Sequence, residues 1–210
     1  MKAHLIFMGH FVIALEEICK REKPDLVIVE DKPCSSEVVK FCDSHGVVYK
    51  KVRSFLDILC ITSIYENIDL TVVSSFGLIL RKAYIQKNKY IVNFHPGDIP
   101  NCRGRHPLPA AIKNKHEFMG ITAHLITDEQ IDYGRICRKI LIPIDYTRNY
   151  EYNADRLVKL LPMMVSSIME EFVSSGGIVG VCVKSIGNYY PPLSKEELDK
   201  IFGVECLSEL

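Results

Sequence analysis

The chain has 210 residues, enough for one well-filled core or one domain with a small appendage. Apolar residues make up 48 % of it, which excludes a disordered chain, and 26 basic side chains balance 26 acidic ones. That balance excludes a protein built to wrap nucleic acid or coat an anionic membrane.

In chain order, Leu5 to Met8 is an apolar run that stops at Gly9, and a helical pattern follows through Val12, Leu15, Ile18 and Cys19. Leu26 to Val29 reads as a second strand, Ser35 to Cys42 as a short helix and Val47 to Tyr49 as a third strand. Ser54 is placed to cap a helix over Phe55 to Ile64. Leu70 to Val73 and Tyr90 to Val92 are the fourth and fifth strands, the latter running into Asn93-Phe94-His95-Pro96. A short helix is expected from Pro107 to Asn114, and strands at Gly120–Ile126 and Ile136–Ile142. One long amphipathic helix is expected over Tyr152 to Val173, kinked at Pro162 and closed by Gly176-Gly177. Val179 to Val183 reads as a strand, Gly187 to Pro192 as a loop and Lys195 to Phe202 as a helix. Strands that are apolar without alternation are covered on both faces, so the expected class is α/β, an open, mostly parallel Rossmann-like sheet with helices on both faces. We divide the chain into a core over 1–177 and a short extension over 178–210.

No apolar run reaches the roughly 18 residues that cross a bilayer, and the N-terminal stretch is too short for a signal peptide. The eight cysteines (Cys19, Cys34, Cys42, Cys60, Cys102, Cys137, Cys182 and Cys206) form no CxxC pair and no metal-finger spacing. They read as free thiols of a cytoplasmic protein, with no metal site and no membrane partner.

Three polar residues stand where chemistry is expected in such a sheet. Asn93 and His95 emerge at the carboxyl end of the fifth strand, two apart and therefore on one face. The amide can donate to an oxygen on which charge develops, and the imidazole can exchange a proton near neutral pH. Asp132, in the loop between the later strands, can orient that imidazole or take part in proton transfer.

Asn93-Phe94-His95-Pro96-Gly97-Asp98-Ile99-Pro100-Asn101-Cys102-Arg103-Gly104 resembles the signature of the folate-dependent formyltransferases, a family that acts on glycinamide ribonucleotide, methionyl-tRNA or nucleotide-linked sugars. Asp132-Tyr133-Gly134 resembles its second loop, Gly120 to His124 its Gly-x-Thr-x-His strand, and Ser75 to Leu80 its folate-lining segment. The resemblance implies a formyl transfer from N10-formyltetrahydrofolate without an acyl-enzyme. Asn93 would bond the formyl oxygen, His95 would polarise that centre or relay a proton, and Asp132 would orient His95 and help deprotonate the amine. It further implies that Phe76, Gly77, Leu78, Ile79, Thr127, Asp128 and Ile131 line the folate site. His124 is expected to be structural rather than the base.

The acceptor is a narrower question. No hydroxyl follows Gly9 in Gly9-His10-Phe11, unlike the phosphate-holding turn of the glycinamide ribonucleotide enzymes, and the tail after Gly177 is short beside the RNA-contacting barrel of the tRNA enzymes. The expected substrate is therefore a nucleotide-linked amino sugar, such as a dTDP-sugar of surface-polysaccharide synthesis, with no nucleic acid partner. Its expected contacts are Gly9, His10, Arg103, Gly104, Arg105, His106, Pro107, Tyr189 and Tyr190, the arginines for a diphosphate and a tyrosine for the base. Purine synthesis, hydrolysis of formyltetrahydrofolate and a noncatalytic binding homologue are the alternatives. The long helix or the tail offers a face for a homodimer.

Overall fold

The computed structural model describes residues 4–183, 185 and 187–203, so Cys206 lies outside the described residues. Seven strands form one sheet: β1 (Leu5–Gly9), β2 (Leu26–Glu30), β3 (Tyr49–Val52), β4 (Ile68–Ser74), β5 (Asn88–His95), β6 (Phe118–Leu125) and β7 (Ile136–Pro143). Their order is β3-β2-β1-β4-β5-β6-β7, with the first five parallel and β6 and β7 antiparallel. The helices are α1 (Val12–Cys19), α2 (Ser36–His45), α3 (Phe55–Ile61), α4 (Lys82–Ile85), α5 (Pro107–Lys113), α6 (Tyr150–Val158), α7 (Leu161–Ser175) and α8 (Lys195–Gly203).

The two faces of the sheet bury separate cores. Leu5, Phe7, Val27, Val29, Val72, Val92 and Phe94 point to one side, where α1, α2, α5, α6 and α7 cover them. Ile6, Met8, Ile28, Val73 and Ile91 point to the other, under α3 and α4. The period-two alternation within runs that look uniformly apolar is what makes a three-layer α/β stack.

Several boundaries differ from the sequence expectation. The third strand lies at Tyr49–Val52 rather than at Val47 to Tyr49. It is the sheet's edge, where Lys50 and Lys51 are exposed and apolarity no longer marks a strand. The long C-terminal helix is two helices, because Pro162 sits in the first turn of α7 and opens a new helix instead of kinking an old one. The short α4 carried no periodic signal. Val179 to Val183 is no strand; within it Val181 makes an isolated bridge to Ile136 at the start of β7. Ser54 does cap α3, accepting the Asp57 N–H at 3.3 Å while the Asp57 carboxylate accepts the Ser54 N–H at 2.9 Å. The tail packs on the rest through Ile178 and Ile201, both buried, and through α8 against α5 and α6.

Candidate active site

Strand register assembles the site. Asn93 stands opposite His124, and His95 opposite Thr122, in the antiparallel β5–β6 pair. Two i,i+2 pairs on facing strands thus present four side chains on one face. Asn93 Nδ2 lies 3.1 Å from His124 Nε2. Thr122 Oγ1 donates to the Gly97 carbonyl at 2.7 Å and accepts the Ile99 N–H at 3.2 Å, which fixes the loop leaving β5.

Asp132 completes the group from the β6–β7 loop. Its Oδ1 is 3.4 Å from His95 Nδ1, 3.4 Å from Asn93 Nδ2 and 3.6 Å from His124 Nε2. Its Oδ2 accepts the Gly104 N–H at 3.0 Å. The backbone of Asp132 is left-handed, with φ of 50°, a conformation rare outside glycine and found at functional sites. Two residues on, a Cβ at Gly134 would come within 1.6 Å of the Leu125 carbonyl oxygen, so only glycine lets this loop press against β6.

Burial sets the electrostatics. His95 is 4 % exposed, and burial holds its pKa below the ordinary imidazole value against the pull of Asp132 and the Cys102 carbonyl. Burial works against the Asp132 charge too, but the His95 and His124 rings and the Gly104 N–H outweigh it and hold that carboxyl below its usual range. His95 Nε2 faces the Cys102 carbonyl oxygen at 2.9 Å, so Nε2 carries the proton of the neutral ring and Nδ1 is its acceptor. Burial pushes the Cys102 thiol up to about 12, and its Sγ donates to the Pro107 carbonyl, which leaves it no nucleophile.

Asn93, His95, His124 and Asp132 lie on a cleft of about 690 Å³ at the carboxyl ends of the strands. Of the residues singled out in the sequence, Phe76, Gly77, Leu78, Ile79, Asp128, Ile131, His10, Gly104, Arg105, His106, Pro107 and Tyr189 also line it. Gly9, Arg103, Thr127 and Tyr190 do not. A Cβ at Gly9 would sit 1.8 Å from the Ser74 carbonyl oxygen, so this glycine serves the close packing of β1 on β4. The Arg103 guanidinium lies over the Tyr133 ring at 5.4 Å, and Tyr190 is held by His116 at 2.9 Å. Thr127 is exposed beside the cleft. Glu30 and Lys32 line it without having been singled out in the sequence, although Glu30 ends an apolar strand run just as Asn93 does.

The sequence profile of the family described as formyl transferase matches residues 19–167 of this chain. The chain belongs to the formyl transferase family. As a family member it is similar to the methionyl-tRNA formyltransferase of Thermotoga neapolitana, with 27 % identity over 133 residues that cover 63 % of this chain and 42 % of that protein. A sugar N-formyltransferase from a Shewanella species shares the fold with a TM-score of 0.71 at 21 % identity, covering 90 % of this chain and 76 % of that one. So does an N-formyltransferase from Helicobacter canadensis in complex with folinic acid and dTDP-3-aminofucose, with a TM-score of 0.73 at 17 % identity and coverage of 93 % and 72 %. The chain spans 42–66 % of the length of the curated relatives first matched.

Proposed function

We propose that this formyl transferase moves a formyl group from N10-formyltetrahydrofolate to the amino group of a nucleotide-linked amino sugar. The observation that carries the reading is the convergence of Asn93, His95 and His124 on Asp132, at 3.4–3.6 Å, with Asn93 3.1 Å from His124, on the wall of a cleft. Phe76, Leu78, Ile79, Leu80, Ile126 and Ile131 give that cleft an apolar side that fits a flat heteroaromatic ring. The folate supplies the one-carbon unit when bound.

The protein's own groups then have separable tasks. Asn93 Nδ2 exchanges its longer contact, 3.4 Å to Asp132, for the formyl oxygen as negative charge grows there. His95 Nδ1 and the Asp132 carboxylate together take the proton that leaves the attacking amine. The same pair returns it to the nitrogen from which the formyl group departs, so the proton count closes without an external base. His124 acts as a positioning residue, accepting from Asn93 and aiming its amide. Arg105, exposed on the rim, supplies a guanidinium for a diphosphate, and Tyr189 supplies an aromatic face. A cytoplasmic setting goes with this reading, since reduced folates, nucleotide sugars and the unpaired thiols found among the described residues coexist there.

Three curated relatives that are methionyl-tRNA formyltransferases favour a second reading with methionyl-tRNA as acceptor. Incubation with N10-formyltetrahydrofolate and, in parallel, a set of nucleotide-linked amino sugars or methionyl-tRNA, read by mass spectrometry, separates the two. A formamide on a sugar, lost in H95A, supports the first. No sugar product alongside formylated methionyl-tRNA replaces it with the second.

A further inference from the structure

A second buried polar cluster lies in the same cleft, away from the groups that handle the formyl transfer. Glu30 ends β2 and is 3 % exposed. Its Oε2 accepts the Gly77 N–H at 2.7 Å and faces His10 Nε2 at 2.9 Å, while its Oε1 meets the Lys32 ammonium. His10 Nδ1 lies 3.0 Å from Ser35 Oγ, which donates to the Glu30 carbonyl. One carboxylate thereby joins the ends of three neighbouring strands: β2 through itself, β1 through His10 and β4 through Gly77.

A buried carboxylate is costly unless it is fully paired, so its presence here calls for a task. Chemistry is not that task. In the strand order β2-β1-β4-β5, Glu30 is three strands from Asn93, about 14 Å at a strand spacing near 4.8 Å. What it does touch is the midpoint of the irregular segment 75–80, which runs between β4 and α4 and begins with Ser75 at a φ of 58°. The fit is close: a Cβ at Gly77 would lie 3.0 and 3.1 Å from the two carboxylate oxygens.

We propose that Glu30 is a positioning residue that sets the 75–80 wall of the cleft through the Gly77 N–H, and so governs affinity for the folate. The proposal rests on the reading of that wall as the folate side. Lys32 and His10 hold the carboxylate charged and oriented, and the Gly77 amide is the donor that transmits its position to the wall. Glu30 changes how tightly the folate is held and leaves the transfer step alone.

Glu30→Gln tests it. Glutamine keeps the shape but cannot accept from Gly77, His10 and Lys32 together. The expected result is a rise of roughly tenfold in KM for N10-formyltetrahydrofolate, with kcat within about twofold of wild type. Protection of the Gly77 amide against hydrogen exchange falls by a similar factor. Unchanged exchange at Gly77, or a loss in kcat with KM unchanged, overturns the proposal. Exchange needs no substrate, so a wild type that transfers no formyl group overturns the proposed function and leaves the exchange result to decide on Glu30. Gly77→Ala provides a second route, read by its own KM if the Glu30 variants do not fold. Its Cβ presses on the carboxylate, so it raises KM, whereas in the E30A background that pressure is gone and the same substitution costs at least threefold less. A wild-type KM in G77A, or strictly additive effects in the pair, also overturns the proposal.

Discussion

Asp132→Asn replaces the carboxylate by an amide of the same shape, which removes the charge and the acceptor that faces the Asn93 amide. The carboxylate accepts from Gly104 N on one oxygen and faces Asn93 Nδ2, His95 Nδ1 and His124 Nε2 with the other. An asparagine that keeps the Gly104 bond must aim its own NH2 at the Asn93 NH2, a donor against a donor. The larger loss is charge. A unit charge 3.4 Å from a protonated His95 contributes about 4–5 kcal/mol at an effective dielectric near 20. Removing it withdraws that support from the imidazolium formed when the amine gives up its proton, a fall of about 10³-fold in kcat. The assay is steady-state formyl transfer to the amino sugar, with circular dichroism to establish that the variant is folded. A folded D132N whose kcat stays within tenfold of wild type would refute the proton-sharing role of this pair.

Other substitutions probe separate parts of the account. Arg105→Ala raises KM for the nucleotide sugar by about tenfold, whereas Arg103→Ala, whose guanidinium lies over Tyr133 rather than on the cleft, leaves that KM within about twofold; the reverse pattern in steady-state kinetics contradicts the placement. Cys102→Ala retains kcat within about threefold, and wild-type Cys102 resists thiol alkylation at neutral pH, since its thiol is raised to about 12; a dead C102A would point to a covalent step. Acid destabilises the fold in a defined order. Burial keeps the folded-state pKa of His95 below its unfolded value near 6.5, so the unfolded chain binds the proton first and stability falls as pH drops below that value. His106, also lowered, adds to the slope, and Asp132, whose folded pKa is depressed, contributes only as pH falls below about 3.8. Thermal midpoints between pH 7 and 5 should fall less steeply in H95Q than in wild type; parallel slopes would contradict the buried neutral imidazole.

How much of this was legible in the sequence depends on which physical signal each residue carried. The apolar runs at Leu5–Met8, Leu26–Val29 and Leu70–Val73 locate strands because both faces are covered. The signal fails at β3, an edge, where Lys50 and Lys51 face solvent. Asn93 and His95 were readable from their place at a strand end, and the register with Thr122 and His124 supplies the geometric reason for two i,i+2 motifs. Glu30 carries the same strand-end signal, but its partners Gly77 and His10 are remote in sequence, so nothing near it on the chain marks it. Arg103 and Arg105 are equivalent on paper, and only the turn at Gly104, whose N–H is held by Asp132, sends one to the cleft and the other to Tyr133. Pro162 has two meanings, kink or first turn, and packing of α7 chose the second.

The most direct test of the central claim is kcat/KM for formyl transfer from N10-formyltetrahydrofolate, measured side by side with nucleotide-linked amino sugars, glycinamide ribonucleotide and methionyl-tRNA as acceptors. The account predicts that one amino sugar exceeds the other two acceptors by at least about a hundredfold, and that N93A and H95A abolish that preference with the rate. A higher kcat/KM for methionyl-tRNA or glycinamide ribonucleotide would contradict the substrate assignment, and transfer that survives in both variants would contradict the site.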